Sequence, residues 1–191
     1  MSYYLNYQSE KERMDFIVNY NHNNGYQIHE IMEENKIWAL LANEIWDDGQ
    51  NGPIVDSTYE QRMLDQAKNN KLAENIKKRD ERLNAGIMYK NILFDSDTDQ
   101  KVNLMAMASF MADDDTIIWL GKDNQPLNCT KEDLLNIGNL IVQLTSAIWG
   151  DGGLNQQYIN AINSCTTVQE VNNIVIDYDN IPNPLLLINN N

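Results

Sequence analysis

The longest unbroken pattern in the chain lies between Pro53 and Asn91, where polar and charged positions outnumber a sparse set of apolar ones. From Thr58 to Ala85 there is no Pro or Gly, and most residues are Gln, Lys, Glu, Arg, Leu, Met or Ala, which lose little entropy in a helix. The stretch predicts one helix over residues 57–85, about 40 Å long at 1.5 Å per residue. Asp56 or Ser57 can cap it, Ser57 and Glu60 have capping-box spacing, and Gly86 marks its end. Tyr59, Met63, Leu64, Ala67, Leu72, Ile76 and Leu83 form only a narrow apolar stripe. In heptads Asn69, Ile76 and Leu83 share one seam position and Leu72 takes the other, but Asp65 and Arg79 stand where a strong coiled coil places Leu. The pattern predicts a partly solvated spacer helix that leans on a partner; the plainer alternative is an amphipathic helix packed on its own domain.

Before this helix, SEKERMDFIVNY (9–20) has the form of a short amphipathic helix, with Ser9 and Glu12 as a capping box and Met14, Phe16, Ile17 and Tyr20 as its apolar side. Tyr26–Met32 alternates as a strand does, Glu33–Lys36 turns, and Ile37–Leu41 returns. The following ANEIWDDGQNGPIVDS is rich in Asn, Asp and Gly and reads as a loop. After Gly86 the period becomes strand-like, with Lys90–Asn91 a tight turn between Ile87–Tyr89 and Ile92–Phe94. A helix then opens within Asp95–Asp99 and runs to Ala112. Its Val102, Leu104, Met105, Met107, Ala108 and Met111 read as core packing, although a Met-rich face also suits an adaptable binding groove.

Thr116–Leu120 and Pro126–Cys129 flank the turn GKDNQ, and Trp119 is expected to be buried against the next helix. Thr130 caps that helix with Asp133 at its third position, and Leu134, Leu135, Ile137, Leu140, Ile141, Leu144 and Ile148 form a broad buried face. GDGG at 150–153 breaks or kinks it, a further helix covers 154–163, and Thr167 with Glu170 starts a last short one. The tail IVIDYDNIPNPLLLINNN holds Pro182 and Pro184 and cannot be a helix interior. The expected class is α+β: a helix-plus-hairpin module (1–52), a connecting helix (53–86), a mainly helical domain with two short hairpins (87–174) and an extended arm (175–191).

Charge narrows the partners. Fourteen Lys and Arg against 28 Asp and Glu leave a net charge of −14, which repels nucleic acid and anionic membrane. Residues 57–85 hold seven of the basic residues, whereas Asp113–Asn191 has ten acids and only Lys122 and Lys131. No run of 18 apolar residues is present to span a membrane, and MSYYLNYQSEKER has no signal-peptide pattern. Cys129 and Cys165 are therefore expected as free, buried thiols.

Chemistry has few candidates. His22 and His29 lack zinc-site spacing, and no HExxH, GxSxG, GxxxxGK[ST] or GxGxxG is present. Asp95, Asp97 and Asp99 match positions 1, 3 and 5 of an EF-hand loop, but Gln100 stands where Gly is needed and Ala106 where a bidentate Glu is needed. The favoured reading is acids at a helix start, with Asp97 nearest the cap; Asp113–Asp115 reads as a solvated turn. No cofactor, metal or catalytic residue is assigned.

An ordered set of segments does carry a resemblance: RDERLNAGI, the hairpin MYKNILFDSD with Phe94 and Asp97, Asn103 and Leu104 at a helix start, IIW with Trp119, the KDNQ turn with Asp123 and Asn124, TKEDL, and INSCTTVQEV. Over about residues 80–174 the chain resembles an uncharacterised domain at the C-terminal end of tailed-bacteriophage tail and tail-fibre proteins. YQIHEI, WALLANEIW and YEQRM resemble the lead-in of short phage tail proteins that end in this domain. GDGG after Trp149 and the Pro-containing tail depart from the family pattern. The resemblance implies no catalytic residue. It implies a non-enzymatic tail, baseplate or tail-fibre structural protein, with a tail-fibre assembly chaperone as the first alternative and an acidic phage inhibitor of a host defence enzyme as the second. The implied location is the virion tail, and the host cytoplasm during assembly. The expected partners are other tail or fibre proteins and further copies of the chain, a trimer by analogy with fibres. The candidate contact residues are Leu72, Ile76 and Leu83 on the long helix and Leu185, Leu186, Leu187 and Ile188 in the tail.

Overall fold

The computed structural model describes residues 2–181 and has about 51% helix and 22% strand, with small hairpin sheets and a long helix, which is the α+β class. It divides into two compact units, one up to Met63 and one from Leu64.

In the first unit, β1 (Tyr3–Asn6), β3 (Lys36–Leu41) and β2 (Tyr26–Ile31) form an antiparallel sheet in the order β1-β3-β2. Alternation sends Ile37 and Ala39 to one face, where both are fully buried with Tyr7 and Phe16 of α1 (Glu10–Asn19). Ser9 caps α1, accepting from the Glu12 N–H, while the Glu12 carboxylate reaches the Gln8 N–H at 2.7 Å. Two differences from the sequence reading concern strands. The hairpin gains β1 as a third strand, and the expected loop after Leu41 contains β4 (Glu44–Asp47) paired with β5 (Gly52–Val55). Both β4 and β5 have four residues, too short for alternation to rise above their Asn, Asp, Gly and Pro content. His29 lies flat on Trp46, ring centroids 4.1 Å apart, and is a packing residue of this unit.

The long helix α2 (Tyr59–Ala85) starts where Asp56 accepts from the N–H and hydroxyl of Thr58 at 2.9 and 2.8 Å and pairs with Arg62. It ends at Gly86, whose φ of +86° is open to Gly without a side-chain clash. From Leu64 onward α2 belongs to the second unit.

Here β6 (Ile87–Tyr89) and β7 (Ile92–Phe94) form a hairpin whose turn residues Lys90 and Asn91 both have positive φ, the type I′ requirement. Asp97 caps α3 (Thr98–Phe110), β8 (Thr116–Leu120) pairs with β9 (Pro126–Thr130), and Thr130 and Asp133 form a reciprocal capping box on α4 (Lys131–Trp149). Gly150–Gly153 ends α4 and restarts the chain as α5 (Leu154–Ser164). A second capping box, Thr167 with Glu170, opens α6 (Val168–Asn173).

The core of this unit is the α4 face of Leu134, Ile137, Leu140, Ile141, Leu144 and Ile148, joined by Phe94, Leu104, Ala108, Cys129 and Ile162. Ile176, Tyr178 and Ile181 are buried in it as well, so the start of the expected arm is core. Three assignments change. Leu135 is 42% exposed, Trp119 is half-buried at the core edge, and Cys165 is half-buried whereas Cys129 is buried.

Candidate functional site

The polar groups buried in the second unit are closed on themselves. Asp133 is 5% exposed; its Oδ2 accepts from the Thr130 N–H at 3.1 Å, while its Oδ1 accepts from the Tyr89 hydroxyl and meets the Lys90 ammonium, each at 2.6 Å. Burial pushes the Asp133 carboxyl up, but Lys90, Tyr89 and the Thr130 N–H outweigh it and hold it at about 2. Burial, reinforced by the charge of Asp133, pushes the neighbouring Cys129 thiol up to about 11, which makes it a poor nucleophile. A second cluster joins Asn75 of α2 to Asn155 at 3.0 Å and to the Tyr178 hydroxyl at 2.8 Å. Among the described residues no buried side-chain nitrogen or oxygen lacks a partner, and no group of three His, Cys, Asp or Glu is placed to hold a metal.

The three aspartates have separate roles. Asp97 accepts from the Gln100 N–H at 2.7 Å as the cap, Asp95 pairs with Lys122 at 3.1 Å, and Asp99 lies in the first turn of α3. One open groove of about 450 Å³ runs between Lys78, Arg82 and residues 175–180. Burial lowers the Arg82 basicity there, and its guanidinium is engaged by the Gly86 carbonyl at 3.0 Å. Another groove, of about 470 Å³, lies in the first unit beside Leu41–Asn43 and Val55–Ser57.

The predicted contact residues of α2 are not brought together as one outward stripe. Leu72 and Leu83 pack against the core of their own unit, and only Ile76, 49% exposed, faces out. The helix is covered by residues that follow it in sequence: Lys68 donates to the Asn163 carbonyl, Lys78 to that of Ile176, and Arg79 lies 4.4 Å over the Trp149 ring. Leu185, Leu186, Leu187 and Ile188 lie outside the described residues.

An apolar surface lies on α3 and α4. Leu104 and Ala108 face the core, but Val102 (55%), Met105 (51%), Met107 (39%) and Phe110 (87%) are exposed. Val102, Ala106 and Phe110 fall at i, i+4 and i+8 on one line. α3 packs beside α4 at Gly138, with Met105 Cγ 3.6 Å from where a Cβ at 138 would stand, an ordinary contact distance. Leu135 and Val142 flank Gly138 on the same side of α4 and are 42% and 40% exposed. Neither 102–112 nor 134–150 contains a charged residue, in a chain of which 22% is charged. The sequence reading gave Val102, Met105 and Met107 to the core. Spacing alone could not say which apolar residues of α3 turn inward, but the missing charge after Lys101 was visible.

The model of a family described as "Domain of unknown function (DUF4376)" matches residues 66–178. This is more than half of the chain, so the chain belongs to that family. The match begins two residues after the compact second unit does and ends at Tyr178, taking in both Asn75 and its partner. Its range takes in residues 80–174 and reaches further back along α2, and its description names no role. Searches of curated proteins and of solved structures give no match.

Proposed function

We propose that this member of the DUF4376 family is a non-enzymatic structural protein of a bacteriophage tail, baseplate or tail fibre, acting through contacts with other tail or fibre proteins. The observation that carries the contact role is the exposed, charge-free apolar face of α3 and α4. Interface centres are poor in charge and rich in Met and aromatic residues, and this face has both features. The assignment to phage tails draws on the ordered resemblance over residues 80–174. A non-enzymatic role is favoured by the closed polar clusters: Asp133 and Cys129 have shifted acidities, but their partners account for the shifts without a substrate.

A second reading, a tail-fibre assembly chaperone, is favoured by Met105 and Met107, since flexible thioether side chains suit a surface that releases its client. Mass spectrometry of purified virions against infected-cell lysate separates the two. A stoichiometric presence in virions supports the structural role; abundance in lysate with absence from virions overturns it in favour of the chaperone. No helix among the described residues is long and apolar enough to cross a membrane.

A further inference from the structure

We infer that the outer edge of β8 takes an extended segment of another polypeptide as an added strand, a contact separate from the α3–α4 face and independent of the phage assignment. Gly121 donates to the Gln125 carbonyl at 2.8 Å, which makes 121 and 125 a hydrogen-bonded pair. Along an antiparallel ladder, bonded and non-bonded pairs alternate. By the register of the hairpin, Trp119 with Leu127 and Ile117 with Cys129 are then bonded pairs, whereas Thr116, Ile118 and Leu120 turn their N–H and C=O groups away from β9. Two features of β9 agree with this phase. Pro126, opposite Leu120, has no N–H to give, and the Thr130 N–H, opposite Thr116, donates outward to Asp133 Oδ2 at 3.1 Å.

The two edges of the hairpin therefore differ. The β9 edge is blocked by Pro126 and committed at Thr130 to the α4 cap. The β8 edge, TIIWL, has no proline, charge or bulge to protect it. Among the described residues no further strand pairs with it, and no turn or loop backbone group bonds to residues 116, 118 or 120. Approach is open, since Ile118 is 71% and Leu120 52% exposed. Unpaired main-chain donors and acceptors in strand spacing are matched by another extended strand, which fixes the kind of guest. Charge narrows it further. Asp114 and Asp123 are exposed at the two ends of β8, and the nearby cations Lys131 and Lys122 are already taken by Asp113 and Asp95. A fitting guest carries β-branched or apolar residues at alternate positions and a Lys or Arg near each end. The β8 of a second copy does not fit, because in either direction it brings its own Asp114 and Asp123 to those ends.

Amide hydrogen exchange of the full chain, read by NMR, tests this with a short synthetic peptide in which Val and Thr alternate and a Lys stands at each end. In the free chain the Ile118 and Leu120 amides are expected to exchange at least about tenfold faster than those of Ile117 and Trp119. The peptide is expected to bind saturably below about 1 mM and to slow exchange at 118 and 120. Glu in place of both Lys should weaken binding at least about tenfold. N-methylation of the peptide backbone and the variant Ile118→Pro should each abolish it. Pro at 118 removes a donor that only the outer edge offers, so the hairpin keeps its own bonds. If Ile118→Pro does not fold, the methylated peptide decides, because it leaves the protein untouched. No binding at about 1 mM overturns the inference, and so does binding that survives both N-methylation and Ile118→Pro, or that leaves exchange at 118 and 120 unchanged. Protection of 118 and 120 that rises with the concentration of the chain alone gives the edge to a second copy and overturns the guest assignment. Failure here leaves the contact role of α3 and α4 as it stands, since neither the peptide nor the variant touches that face.

Discussion

Tyr89 and Asp133 are 44 residues apart in sequence, and a 2.6 Å hydrogen bond joins them where the β6–β7 hairpin meets the first turn of α4. Asp133 serves both the helix, by closing the box with Thr130, and the hairpin, through Tyr89 and Lys90. Removing it leaves a buried hydroxyl and a backbone N–H without their acceptor. Asp133→Ala should therefore cost about 2 to 4 kcal/mol, measured by chemical denaturation. A loss below about 0.5 kcal/mol would mean that water replaces the carboxylate without penalty.

The same carboxylate sets a pH dependence. Its folded value of about 2 lies below the ordinary 3.8, so its contribution is complete above pH 3.8 and is lost as pH falls toward 2. The shift corresponds to roughly 2 kcal/mol. Lys90 is shifted the other way, raised chiefly by its hydrogen bond to Asp133, so its share is complete below its ordinary value and lost as pH rises through the raised one. Between pH 4 and 2 the stability of the wild-type chain should fall more steeply than that of Asp133→Asn. Parallel curves would place the acid sensitivity elsewhere.

Asp97 should behave as a cap. Asp97→Ala is expected to cost about 1 kcal/mol, equally with and without added calcium. Calorimetry that detects micromolar calcium binding, lost in this variant, would restore the EF-hand reading.

Trp119 is half-buried at the edge of the core, so truncation removes less packing than at a fully buried aromatic residue. Trp119→Ala should lower stability by about 2 kcal/mol, against about 3 to 5 kcal/mol for a fully buried one. Thermal unfolding distinguishes the two values.

Much of this architecture was legible because its signals are local. Three capping residues, Ser9, Thr130 and Thr167, are identified by the acid three positions on, and Lys90–Asn91 by the turn that it must make. Both ends of α2 carry such marks. What was missed depends on distant partners. β1 is a strand because Leu5 pairs with Ile37, and β4 because Ile45 pairs with Ile54, neither of which the short segments announce. Leu72 and Leu83 read as a free seam because residues that cover α2 come far later in the chain, as with Asn155 and Tyr178, 80 and 103 positions after Asn75. The roles of Tyr89 and Lys90 at Asp133 were hidden for the same reason.

The central claim, that the chain works through the α3–α4 face, is tested most directly by placing a photo-crosslinking phenylalanine analogue at position 110 of the full chain and mapping its products by mass spectrometry. The account predicts covalent products in which position 110 is joined to a second polypeptide. Reaction with solvent alone, leaving every chain uncrosslinked, would contradict it.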